Sequence, residues 1–144
     1  MGVRIQVVID AREPETLARF WAEALAYQEE PPPPGFDDWP GFLRSIGVPE
    51  EEWGRYAAVV DSEGTGPRVF FQKVPEGKVV KNRVHLDLSV GGGREAALEE
   101  RRKNIAQAAA RLEGLGATVV CPKEEAGSYW VVMQDPEGNE FCLH

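Results

Sequence analysis

Apolar and polar positions repeat with two periods along the chain, and the switches between them outline its elements. Residues 3–9 (VRIQVVI) form a β-branched run with Arg4 and Gln6 as polar members, which predicts a strand. Glu13-Pro14-Glu15-Thr16 then opens a helix, with proline in the first turn and carboxylates at the positive end of the dipole. Leu17, Phe20, Trp21, Ala24 and Leu25 supply its apolar face. A short strand follows and ends at Pro31–Pro34, since such a run suits neither a helix interior nor a central strand. Residues 35–53 are irregular: Asp37-Asp38-Trp39-Pro40 caps a short helix reaching Ile46, and Pro49-Glu50 starts another turn. Strands are expected over residues 56–60, 68–74 and 84–90. A long helix follows the flexible Gly91–Gly93, with Leu98, Ile105, Ala108, Leu112 and Leu115 on one side and Gly116 as terminator. Residues 117–120, 129–133 and 139–144 are the last three strands, the final pair forming a hairpin through Asp135-Pro136-Glu137-Gly138-Asn139.

The two halves follow the same order of strand, helix and three strands, and Asp61-Ser62-Glu63-Gly64 parallels Asp135-Pro136-Glu137-Gly138. The pattern predicts an α+β fold of two paired βαβββ modules, about 1–76 and 77–144, in a single domain spanning 1–144. Each module is too small to bury both faces of its sheet alone. Together they make a curved, mostly antiparallel sheet around a central cavity.

Composition narrows the function. Twenty-four acidic residues against 16 lysines and arginines give a net charge of −8, which opposes nonspecific binding to nucleic acid or an anionic membrane. Cys121 and Cys142 lack CxxC spacing, and no segment reads as a signal peptide or membrane span, so a soluble cytoplasmic protein with reduced thiols is expected. No P-loop, GxGxxG, GxSxG or HExxH pattern supports the commoner nucleotide or hydrolase chemistries.

Phe20-Trp21 on the first helix, the segment Asn82-Arg83-Val84-His85-Leu86-Asp87 and the ending DPEGNEFCLH resemble the vicinal oxygen chelate superfamily, specifically its small glyoxalase-like domain proteins. That group includes glyoxalases, fosfomycin-resistance enzymes, extradiol dioxygenases and bleomycin-resistance proteins. The resemblance implies metal ligands at Gln6, His85 and Cys142, the last standing where a glutamate is usual. It implies one divalent ion (zinc, nickel, manganese or iron) or none, and a homodimer as the usual assembly. Glu140 lies two residues before Cys142 on the same strand face and is the candidate carboxylate, either as proton-transfer group or as a metal ligand in place of Cys142. Gln72 and His144 are expected to line a pocket and Asp87 to line it or to orient the His85 imidazole, with Trp39 and Phe42 as an apolar lid or a packed satellite cluster. Two functions remain open. One is a metal-dependent lyase or isomerase polarising neighbouring oxygens of a small substrate. The other is a metal-free protein that sequesters a small molecule in the manner of the bleomycin-resistance proteins.

Overall fold

A computed structural model describes residues 1–144 and divides them into two compact units, Met1–Gly77 and Lys78–His144. Each is built the same way. In the first, β1 (Val7–Ala11), α1 (Pro14–Leu25), β2 (Gln28–Glu29), β3 (Tyr56–Val60) and β4 (Val69–Lys73) give a four-stranded sheet ordered β1-β4-β3-β2. In the second, β5 (Asp87–Leu88), α3 (Leu98–Glu113), β6 (Thr118–Glu125), β7 (Ser128–Gln134) and β8 (Glu140–Leu143) are ordered β5-β8-β7-β6. The βαβββ repeat read from the sequence is present. In both sheets the first strand runs parallel to the last and the remaining pairs are antiparallel, so each sheet is mixed and open.

Helix packing covers one face of each sheet. Leu17, Ala18, Phe20 and Trp21 on α1 are buried with Val59, Val69 and Phe71, while Ile105, Ala109 and Leu112 on α3 are buried with Met133, Phe141 and Leu143. The helical spacing of apolar residues predicts the α1 face and, on α3, Ile105 and Leu112, while Ala109 is buried in place of the expected Ala108. Phe20 and Trp21 meet edge to face with ring centroids 5.6 Å apart. Leu115 is 42% exposed and lies beyond α3, because Gly116 at φ +105° turns the chain while the Ala117 N–H bonds the Leu112 carbonyl.

Strand lengths depart from the hydrophobic pattern in three places. The first strand starts at Val7, because the parallel ladder with β4 begins at Val7–Val69, and Val3 and Ile5 remain exposed. β5 shrinks to two residues despite its clean alternation, since its ladder with β8 holds only the pairs Asp87–Cys142 and Leu88–Leu143. Conversely, β6 continues through Pro122-Lys123-Glu124-Glu125, which carries no hydrophobic signal. It is an edge strand held by backbone pairing to β7, where proline and charge are tolerated. Between β2 and β3 the expected short helix, α2 (Trp39–Ser45), is capped by the Asp38 carboxylate accepting from the Gly41 N–H at 2.7 Å, and a 3-10 turn spans Glu50–Arg55.

Candidate metal centre and cavity

β8 is a central strand, and its alternation sends Phe141 and Leu143 under α3 and Glu140, Cys142 and His144 to the opposite face. Asp87 stands directly opposite Cys142 across the parallel pair. Preceding it by two residues, His85 shares that face and places Nδ1 3.0 Å from Asp87 Oδ1. One donor atom from each of His85, Asp87 and Cys142 lies within 4.8 Å of the others. These side chains line a cavity of about 770 Å³ in the second unit, with Glu140, His144, Ser89, Tyr129, Trp130 and Val132 among the other walls.

Electrostatics sets the protonation of the thiol in the cluster. Desolvation, reinforced by the Asp87 carboxylate to which the thiol donates, raises the Cys142 pKa, so the sulfur carries its proton at neutral pH. Donors bonded to one zinc at about 2.0–2.3 Å lie roughly 3.3–3.8 Å apart, so closing the trio around an ion requires a shift of roughly 1 Å and loss of that proton. Thiolate, imidazole and carboxylate form a set suited to zinc or a similar borderline ion, and the three donors already converge, so the residues fit the group.

Glu140 is held differently. Burial raises the pKa of its carboxyl, but Lys78 at 3.1–3.2 Å and the Asn82 N–H at 3.2 Å more than reverse this and hold it below the ordinary carboxylate range. His144 Nε2 lies 3.1 Å from Ser89 Oγ, and the His144 carbonyl accepts from the Val90 and Gly91 N–H groups.

The remaining expected residues belong to the first unit. Gln6 Oε1 accepts from Arg68 at 3.0 Å, and Gln72 Nε2 donates to Asp10 Oδ1 at 2.8 Å. Trp39 packs on Phe42 at 5.8 Å, donates its Nε1–H to the Glu30 carbonyl, and lines a separate cavity of about 740 Å³ with Trp53, Tyr56 and Phe70. Sequence reasoning gave Asp87 the role of orienting the His85 imidazole or lining the pocket, and did not foresee that its carboxylate also approaches the Cys142 thiol. Its signal was the alternation His85, Asp87, Ser89, but the alternation does not say which strand lies alongside.

A family model described as a glyoxalase-like domain matches residues 6–144. The chain belongs to the glyoxalase-like domain family. No curated protein matches the sequence. Among solved structures, a glyoxalase/bleomycin resistance protein/dioxygenase family enzyme from Burkholderia phytofirmans shares 18% identity at a TM-score of 0.60, covering 96% of this chain and 94% of that one. The fosfomycin resistance protein FosX from Mesorhizobium loti shares 12% at 0.64, covering 100% and 91%. A mutant FosX from Listeria monocytogenes, solved with manganese(II) and 1S,2S-dihydroxypropylphosphonic acid, shares 9% at 0.62, covering 100% and 92%. The fold and superfamily expected from DPEGNEFCLH are therefore those found, and at these identities the structural likeness speaks for the fold alone. No helix is long and apolar enough to cross a membrane.

Proposed function

We propose that the cavity of the second unit is a divalent-metal site and that the protein is a glyoxalase-type lyase or isomerase acting on a small oxygenated substrate. The convergence of His85, Asp87 and Cys142 within 4.8 Å carries this reading. The Mn(II)-bound FosX of the same fold supports it. A bound ion would supply Lewis-acid polarisation of neighbouring substrate oxygens. His85 and Cys142 would hold it with Asp87, which provides the carboxylate that the final strand lacks at Cys142. Trp130 and Val132 contribute apolar wall that excludes water. Glu140 Oε is the proposed proton carrier, and to act it must release Lys78 while the substrate is bound. A cytoplasmic location, a single domain formed by the two units and a homodimeric assembly belong to the same proposal. The two unbonded cysteines support the first and the family match across both units the second.

A metal-free binding protein is the second reading, favoured by the pairing of His85 with Asp87, which satisfies the imidazole within the protein. Metal analysis of protein purified without chelator separates the two. Near-stoichiometric metal that disappears in His85→Ala is the expected result. Protein that stays metal-free after soaking with nickel, manganese or zinc would leave only the binding reading.

A further inference from the structure

The polar face of the second sheet is laid out in rows. Asp87 and Cys142 form one, and Ser89 with His144, two residues further along each strand, forms the next. Beyond Ser89 the chain passes through Gly91, which is buried against α3: a Cβ at that position would lie 3.6 Å from Arg101 Cβ and 3.2 Å from the His144 carbonyl carbon. Arg101 therefore rises beside the second row and lines the same cavity.

This arginine lacks what a guanidinium normally has. No carboxylate pairs with it, and its one hydrogen bond, from Nη2 to the Gly127 carbonyl, is long at 3.4 Å. Its Nε is buried without an acceptor. A buried donor left unmade costs free energy, and native proteins keep few of them. Arg94, without an ion pair, lines the cavity with it on an exposed loop. The cavity's carboxylates do not compensate this charge: Asp87 faces His85, and Glu140 is taken by Lys78. An unbalanced cationic end is thus present in a chain whose net charge is −8.

We infer that Arg101, assisted by Arg94 and the Ser89–His144 pair, is an oxyanion subsite that holds a terminal carboxylate or phosphate of the substrate. This rests on the cavity being the substrate site and adds the substrate class. Two residues of strand advance a ligand roughly 6.5 Å, and the arginine lies past that row, so the anion binds on the order of 10 Å from Asp87. The substrate is then an elongated molecule, with its oxygens to be polarised at one end and an oxyanion at the other. Arginine's planar fork suits either a carboxylate or a phosphate through paired N–H donors.

The test is titration of the chelator-treated full chain with inorganic phosphate and, separately, with glutarate, followed by calorimetry and by the fluorescence of Trp130 in the cavity wall. Saturable binding of at least one is expected, and the stronger identifies the anion. Arg101→Gln should weaken it at least tenfold, Arg101→Lys should recover part of the loss, and Lys103→Gln on the same helix should change nothing. Equal binding by Arg101→Gln and wild type, an equal loss in Lys103→Gln, or no saturable binding of either anion overturns the subsite. Should Arg101→Gln fold poorly, Arg94→Gln decides: threefold or greater weakening supports the subsite and unchanged affinity overturns it. Because the titration is metal-free, a chain that binds phosphate through Arg101 but never takes metal loses the metal reading alone. A chain that takes metal and no oxyanion loses the subsite alone.

Discussion

The two halves of this chain share a topology and differ in chemistry. The Gln72–Asp10 bond in the first unit and the His144–Ser89 bond in the second each join the last strand to the first across the parallel pair. With these as the anchor, Gln6 corresponds to His85, Val8 to Asp87, Phe70 to Cys142 and Arg68 to Glu140. The second unit thus carries three convergent donors where the first carries an amide and two apolar side chains. There, Arg68 bonds Gln6 and covers the Phe70 ring at 5.0 Å, and Tyr56 stacks on Phe70 with centroids 5.5 Å apart. A duplicated sheet supplies two equivalent positions, and side-chain replacement gives only the second a convergent set of donors. Fold and function are separable within one molecule.

Exchanging residues between the halves gives the largest expected effect. Cys142→Phe, which imports the first unit's residue, should abolish stoichiometric metal retention, as should Asp87→Val. The reciprocal set in the first unit, Gln6→His, Val8→Asp and Phe70→Cys, should add a second binding event in zinc calorimetry if backbone geometry alone positions the donors. Failure of that graft to bind would show that side chains outside the trio are also needed.

The matching turns differ in burial and should differ in weight. Asp135 is 3% exposed and its oxygens accept from the Glu137 and Asn139 N–H groups and the Asn139 amide. Asp135→Ala leaves buried donors unmade and should cost about 2–4 kcal/mol in denaturant unfolding. Asp61 makes a similar set of bonds at the surface, and Asp61→Ala should lower Tm by clearly less. An equal loss from the two would break the link between burial and penalty.

Acid sharpens the same contrast. The Thr65 hydroxyl first, then the Glu63, Gly66 and Thr65 N–H groups, lower the Asp61 pKa from 3.8 to about 2. Since the folded pKa lies below the ordinary one, this group's contribution is fully present above about pH 4 and fades as pH falls towards 2. Tm between pH 4 and 2 should therefore fall more steeply in the wild type than in Asp61→Asn. Parallel curves would remove the turn from the acid response.

Helix ends offer the smallest effect. α1 closes on Ala26 at φ +54°, whereas the chain leaving α3 uses Gly116 for its left-handed residue. Ala26→Gly relieves the Cβ penalty and should stabilise the fold by about 0.5–1 kcal/mol, whereas Gly116→Ala should destabilise it. A loss of stability in Ala26→Gly would mean that chain entropy outweighs the relief of strain.

Much of the scaffold was legible because short-range chemistry specifies it. Apolar spacing marked α1 and α3, Asp38 marked α2, and the Asp-Pro-Glu-Gly-Asn turn marked the hairpin of β7 and β8. The β6 extension through Lys123-Glu124-Glu125 was not legible, because an edge strand can form from backbone bonds without burying side chains. Nor was the brevity of β5, since alternation describes a side-chain pattern and not the presence of a partner.

For the site, sequence by itself determined that His85 and Asp87 share a strand face and that Glu140, Cys142 and His144 share another, and the family resemblance implied that a thiol stands where a carboxylate is usual. Tertiary structure alone decided that β5 lies beside β8 in parallel, which brings Asp87 opposite Cys142 and converts two rows into one donor cluster. It also decided that Arg101, one residue of a helix far along the chain from the donors, lines their cavity without an ion pair. The physical reason is common to both. Periodicity fixes the direction of a side chain relative to its own backbone, while its neighbours across a ladder or beneath a helix are set by packing of segments far apart in sequence.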